Sequence, residues 1–227
     1  MPRLSNNGLK IIAMVTMVLD HVGVALFPNI AWLRILGRLS FPIYAFMIAE
    51  GCRHTRSIPR YFGAMAILAA ICQAVYFVVM DSLYMCILVT FSLSIGLIWL
   101  LKKAEATKHQ GWYFCFFAGV LCALFICELL PKLIPQTDFY VDYGFIGVMI
   151  PVIIYLAKTR QSQMMAALLS LAVLSAASDA TQWWCLLAVP LLLLYNGERG
   201  KWKLKWFFYL FYPVHLVAIQ GIAMLMQ

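Results

Sequence analysis

The chain has 227 residues, 64% of them hydrophobic and only 11% charged, with a formal net charge of +8. A soluble fold of this length needs more charge to cover its surface, so a soluble globular domain is excluded and a polytopic membrane protein is expected. The positive charge does not point to nucleic acid, because Lys and Arg are confined to short segments between apolar runs, where they act as topology signals.

At about 20 apolar residues per span, about nine candidate spans follow. They cover 9–27, 32–51, 60–80, 84–101, 112–130, 143–157, 163–178, 182–195 and 205–226. The sixth to eighth are short, so about eight to ten spans fit the pattern. The expected fold is all-α: a polytopic membrane helix bundle in one domain over 1–227. No small-residue cleavage site follows the first apolar run, which is therefore expected to stay as a span.

The basic residues sort by alternate loops. Arg53, Arg56 and Arg60 follow the second span, Lys102, Lys103 and Lys108 the fourth, Lys158 and Arg160 the sixth, and Arg199, Lys201, Lys203 and Lys205 the eighth. The opposite side has Lys132 and collects Asp81, Asp138, Asp142 and Asp179. The positive-inside rule then puts the amino terminus in the cytoplasm and the carboxyl terminus outside. The seven cysteines form no CxxC pair and lie mostly in apolar runs, so they read as packing residues, and no metal site is expected.

The first span carries Lys10, Asp20 and His21. Ionisable groups at membrane depth are costly and are functional candidates by default. Lys10 and His21 are eleven positions apart, which at about 100° per residue returns to within roughly 20° of one face and rises about 16 Å. With the amino terminus inside, His21 lies about 18 Å from the cytoplasmic end, in the outer half, where a general base would serve an acceptor arriving from outside. Asp20 points about 100° away from His21, so its expected partner is a cation on another helix, Arg34 or Arg38.

The second span opens with Arg34 and Arg38, one turn apart, and runs through Pro42 to Glu50. Pro42 removes a donor and is expected to kink or break this helix, and broken helices at membrane depth line cavities. Glu50, near the inner end, is expected to pair with Lys10. The inner loop after it carries Arg53, His54 and Arg56, and the last inner loop reads Tyr195, Asn196, Gly197, Glu198, Arg199, Gly200. Two glycines beside cations let a backbone approach the phosphates of a nucleotide-like ligand, with Arg199 the best-placed contact. The final span holds His215 after Tyr212 and Pro213, about 15 Å from its inner start and near the level of His21. The outer stretch from Asp142 and Tyr143 through Gly147 is expected near the same centre. Gln73, Glu128, Gln182 and Gln220 read as helix-to-helix hydrogen-bond partners.

The segments LKIIAMVTMVLDHVG (9–23), LRILGRLSFPIYAFMIAEGCRHT (33–55), DYGFIGV (142–148), LLLLYNGERG (191–200) and FFYLFYPVHL (207–216) resemble the TraX family, membrane proteins associated with amino-terminal acetylation of pilin. The spacing of Lys10 and His21 is also similar to the K/R-x10-H motif of transmembrane acyltransferases, which carry acetyl from cytoplasmic acetyl-CoA to an acceptor across the membrane. The resemblance implies Lys10 near the CoA mouth, His21 as the catalytic histidine, and roles for Arg34, Arg38 and His215.

Residues and resemblance together lead to a transmembrane O- or N-acetyltransferase. Acetyl-CoA is the expected donor, with Lys10, Glu50, Arg53, His54, Arg56, Asn196 and Arg199 on its path. His21 is the expected base, with Asp20, Arg34, Arg38 and His215 around it. The acceptor stays open between a glycan, a lipid-linked sugar and a protein amino terminus, and a homo-oligomer stays open too. The rival from another class is a proton-coupled or small-molecule transporter using Lys10, Asp20, His21 and Glu50, lowered by the lack of a visible inverted repeat. A scaffold for a pilus or envelope assembly would leave the buried charges unexplained.

Overall fold

The computed structural model describes residues 4–198, 200 and 205–226. The helices are α1 (Asn6–Ala25), α2 (Ala31–Gly37), α3 (Ser40–His54), α4 (Ile58–Met80), α5 (Ile87–Thr107) and α6 (Gln110–Leu124), which continues through a π turn, Phe125–Leu129, into α7 (Leu130–Leu133). They are followed by α8 (Gly144–Leu156), α9 (Arg160–Ala176), a 3-10 segment Ala180–Leu187 that leads into α10 (Ala188–Leu193), and α11 (Lys205–Leu225). Among the described residues there is no strand, only isolated bridges joining Leu4 to Tyr195 and Met85 to Val141.

The chain is a helical membrane protein. Among the described residues five segments are long and apolar enough to cross a bilayer: Asn6–Ala25, Ala31–His54, Ile58–Met80, Ile87–Thr107 and Gln110–Leu133. Of the remaining expected spans, the structure gives shorter apolar helices at Gly144–Leu156, Ala180–Leu193 and Leu210–Leu225, together with α9. The 13 residues of α8 rise only about 20 Å against a hydrocarbon core of about 30 Å. The exposed face of α6 carries Phe114, Phe117 and Leu121, a surface suited to lipid and not to water.

The contacts group the residues into two compact units, one of residues 1–47 and 159–227, the other of 48–158. In the first unit, α1 and α2 form a tight hairpin. A Cβ on Gly23 would stand 2.9 Å from the Cβ of Leu33, and one on Gly37 would overlap the Asp20 side chain. Small residues at such a crossing let two backbones approach closely. The second span is interrupted as expected, and the break falls at Arg38 and Leu39, before Pro42. Pro42 has no N–H for the carbonyl of Arg38, four residues back, so the helical ladder stops there and restarts at Ser40.

In the second unit, α4, α5, α6 and α8 pack together. Ser94 Oγ donates to the Val148 carbonyl at 2.8 Å, tying α5 to α8. The π turn carries Glu128, whose Oε1 accepts from the Phe145 N–H at 3.0 Å and so covers an open donor in the first turn of α8.

Each unit also secures a helix end with an arginine. Arg53 donates to the carbonyls of Ile154, Tyr155 and Ala157 at the end of α8, the last two at 3.1 and 3.0 Å. Arg160 does the same at the end of α10, to Leu192 and Tyr195, with its guanidinium over the Phe46 and Tyr195 rings. The last carbonyls of a helix have no partner within the helix, and a cation there also meets the negative end of the dipole.

Candidate functional site

The site is built in the unit of residues 1–47 and 159–227, where the α1–α2 hairpin, α11 and the 3-10 segment meet titratable groups. The crossing at Gly37 lays the Asp20 side chain against α2, where its Oδ1 lies 2.8 Å from Arg34 Nη1. Asp20 thus finds the partner expected of it on the neighbouring helix, and its carboxylate is directed at Arg34.

His21, next on α1, meets α11. Its Nδ1 lies 2.8 Å from Nε2 of His215, and the ring centroids are 5.0 Å apart with planes 23° from parallel. That separation is about what two imidazoles joined edge to edge by one N–H···N bond require, so the contact is a hydrogen bond and not a face stack. On its other side His215 places Nδ1 2.9 Å from the Phe211 carbonyl. The ring lies parallel to Phe211, 4.9 Å away at 8°, and Tyr212 meets it edge-on at 5.4 Å and 75°. Only 7% of His215 is exposed. Within α11, Pro213 gives no N–H to the carbonyl of Tyr209.

Arg38, one turn beyond Arg34, lies 3.5 Å from Asp179 Oδ2. Asp179 is the N-cap of the 3-10 segment, accepting from the Gln182 N–H, and the Thr181 hydroxyl also donates to it. That hydroxyl, with the Arg38 charge and the backbone donors, holds the Asp179 carboxyl below its ordinary value. Behind it, Ser175 Oγ donates to the Leu171 carbonyl at 2.9 Å and lies 3.5 Å from Cys185 Sγ. Sequence reasoning treated Asp179 as an outer-loop charge and Cys185 as packing. The signal for Asp179 was its place three residues before Gln182, a capping position, beside a tryptophan-rich apolar run.

The remaining expected residues are distributed over both units. Lys10 lies half-buried on α1, in the same unit as the histidines. Asn196 belongs to a loop held against the start of α1: its N–H donates to the Leu4 carbonyl at 2.9 Å, and the Asn6 N–H donates to the Glu198 carbonyl at 2.8 Å. Gly197 and Gly200 take φ of 80° and 90°, and a Cβ on Gly200 would stand 2.9 Å from Ser5 Oγ, so glycine serves both the conformation and the close approach. Arg199, Lys201, Lys203 and the Lys205 side chain lie outside the described residues.

In the other unit Glu50, for which Lys10 was the expected partner, has two neighbours on its own helix: Arg53 Nη1 at 2.7 Å and His54 Nε2 at 3.4 Å. The hydrogen bonds of Arg53 go to Glu50 and to the end of α8, whereas His54 and Arg56 are exposed. Asp142 and Tyr143, expected near the histidines, also belong to this unit. Asp142 accepts from the Tyr84 hydroxyl at 2.7 Å, and Tyr143 is the left-handed N-cap of α8. Among the described residues no group of three or more His, Cys, Asp or Glu is arranged to hold a metal ion.

No solved structure matches the chain. Among curated proteins it is 25% identical to "Probable fimbrial assembly protein FimC, serogroup H1" of Dichelobacter nodosus, over 96% of each chain. A short segment, 17% of this chain and 15% of the other, is 40% identical to an uncharacterised protein of Rickettsia prowazekii (strain Madrid E). The family described as TraX protein matches residues 5–223, and this chain belongs to the TraX family.

Proposed function

We propose that the chain is a membrane acetyltransferase that takes acetyl from cytoplasmic acetyl-CoA and delivers it to an acceptor amine or hydroxyl on the outer side. The observation that carries this reading is the hydrogen-bonded pair of His21 and His215, set beside the Asp20–Arg34 ion pair in one unit. A structural histidine needs only one satisfied partner, whereas two imidazoles in series give a proton acceptor with somewhere to share its charge.

In this mechanism the acceptor nitrogen or oxygen attacks the thioester carbonyl while His21 takes its proton. The new C–N or C–O bond forms, the C–S bond breaks, and the CoA thiolate leaves and is reprotonated by the imidazolium. Arg34 and Arg38 hold positive charge close to where the oxyanion develops. The start of α1, beside Gly197 and Gly200, suits the phosphate end of CoA, since the positive end of a helix dipole lies there and the glycines allow close approach. Lys10 then stands between that end and His21. The rise of about 16 Å from Lys10 to His21 suits an extended pantetheine arm. The curated relative is named for fimbrial assembly, which makes the terminal amine of a surface-fibre subunit the first acceptor class to test.

The test uses the full chain in lipid nanodiscs with labelled acetyl-CoA and envelope material from a deletion strain as acceptor. The wild type is stabilised by acetyl-CoA and transfers label, and His21→Ala keeps the stabilisation but loses transfer by about 100-fold or more. A wild type that is neither stabilised nor able to transfer ends the acetyltransferase reading, and an active His21→Ala protein removes the base.

A further inference from the structure

We propose that His215 is a positioning residue that fixes which nitrogen of His21 is basic: His21 is held as the Nδ1–H tautomer, and Nε2 is the atom that takes the acceptor's proton. The inference rests on the acetyltransferase reading for the source of that proton, but the tautomer itself follows from the hydrogen-bond geometry and the burial of the pair.

The argument starts at the backbone. The Phe211 carbonyl, 2.9 Å from His215 Nδ1, only accepts, so Nδ1 of His215 carries a hydrogen. In a neutral imidazole the other nitrogen is then a lone pair. That nitrogen, Nε2, faces His21 Nδ1 at 2.8 Å, so the hydrogen between the rings belongs to His21. With Nδ1 of His21 protonated, Nε2 is its free lone pair.

The alternative, a doubly protonated His215 donating to His21, puts a cation on a ring that is 7% exposed and packed against Phe211 and Tyr212, with the Arg34 charge already acting on its partner. At membrane depth that arrangement is the costlier one. Asp20, the neighbouring carboxylate, does not compete for the His21 ring, because it is paired with Arg34.

The chain Phe211 carbonyl, His215, His21 therefore does what an orienting carboxylate does for a histidine base: it selects the tautomer and holds the ring. It does so with neutral groups, which a membrane interior tolerates better than a carboxylate. When Nε2 of His21 gains a proton, the Nδ1–H bond to His215 strengthens and the charge spreads over both rings.

The experiment is 15N NMR on full-length, histidine-labelled protein in nanodiscs, with His21→Ala and His215→Gln used for assignment. The expected spectrum has His21 Nδ1 and His215 Nδ1 as N–H nitrogens, both Nε2 as lone-pair nitrogens, and a coupling across the N–H···N bond. A His21 ring that carries its hydrogen on Nε2, or no inter-ring coupling, overturns the proposal. With labelled acetyl-CoA as probe, His215→Leu is expected to lower kcat by about 10–100-fold with little change in KM for acetyl-CoA. His215→Gln, which keeps an acceptor and a donor, recovers part of the loss. If the spectrum is as expected but the wild type transfers no acetyl, the tautomer stands and the acetyltransferase reading fails. If transfer depends on His21 but the tautomer is reversed, this proposal alone fails.

Discussion

Asp20 and Arg34 form an ion pair at 2.8 Å with side chains 20% and 28% exposed, and the pair is set by helix contact and not by sequence neighbourhood. Its environment makes the loss of one partner worse than the loss of both. Asp20→Ala is expected to destabilise by about 1–3 kcal/mol, less than for a fully buried pair because both side chains keep some exposure. The double variant Asp20→Ala/Arg34→Leu recovers much of that loss. Thermal unfolding in a fixed detergent measures the cycle, and a double variant no better than the single would show that the pair is not the source.

The hairpin that makes this pair depends on Gly37. Any Cβ there overlaps Asp20, so Gly37→Ala is expected to cost about 1–3 kcal/mol and to separate α2 from α1. Gly63, inside α4, has open space around its Cβ position and serves as the control. Gly63→Ala is expected to be neutral or stabilising by up to about 1 kcal/mol. Equal effects of the two changes would mean the hairpin is not glycine-limited.

Arg53 and Arg56 are expected to separate cleanly. Removing Arg53 strips the last carbonyls of α8 and the buried Glu50 of their donors, so Arg53→Ala lowers thermal stability by about 2–4 kcal/mol. Acetyl-CoA affinity of the folded fraction stays unchanged. Arg56, exposed after α3, shifts stability by less than about 0.5 kcal/mol when replaced by Ala. Unfolding curves combined with isothermal binding of acetyl-CoA distinguish the two.

Acid stability depends on two loop carboxylates. Asp179 is held below its ordinary value by the Thr181 hydroxyl, with the Arg38 charge and backbone donors also acting, and Asp138 by the Ser82 hydroxyl and the Leu83 N–H. A carboxylate whose folded value is depressed contributes stability that is present above its unfolded value and lost as pH falls through the folded one. The unfolding temperature is therefore expected to hold down to about pH 4 and fall below it. Asp179→Asn makes the fall shallower, and since Asp179 is largely exposed the difference is small. A melting temperature that rises on acidification through this range contradicts the assignment.

The apolar runs, the interruption of the second span and the polar residues inside the first and last spans were legible in the sequence, because a membrane interior tolerates so few charges that each one stands out. The pairing of Asp20 with a cation on the next helix was legible for the same reason: a carboxylate at that depth needs one. The location of the break was not, because Pro42 acts on a carbonyl four residues back. Nor was the use of Arg53, since a loop arginine read along the chain looks the same whether it meets a phosphate or the end of α8. Asp179 went unnoticed because its capping geometry exists only once the 3-10 segment has formed.

By itself the sequence determined that this is a helical membrane protein of the TraX kind, and which few residues had to be explained. Periodicity and charge placement are local properties, and both are written along the chain. Only the tertiary structure decided which of those residues meet. It joined His21 to His215 across 194 positions of sequence, turned Asp20 away toward Arg34, and gave Arg53 and Arg160 to helix ends. The reason is physical: a hydrogen bond is fixed to a few tenths of an ångström by the packing of helices, and glycines such as Gly23 and Gly37 set that packing through contacts that no single stretch of sequence contains.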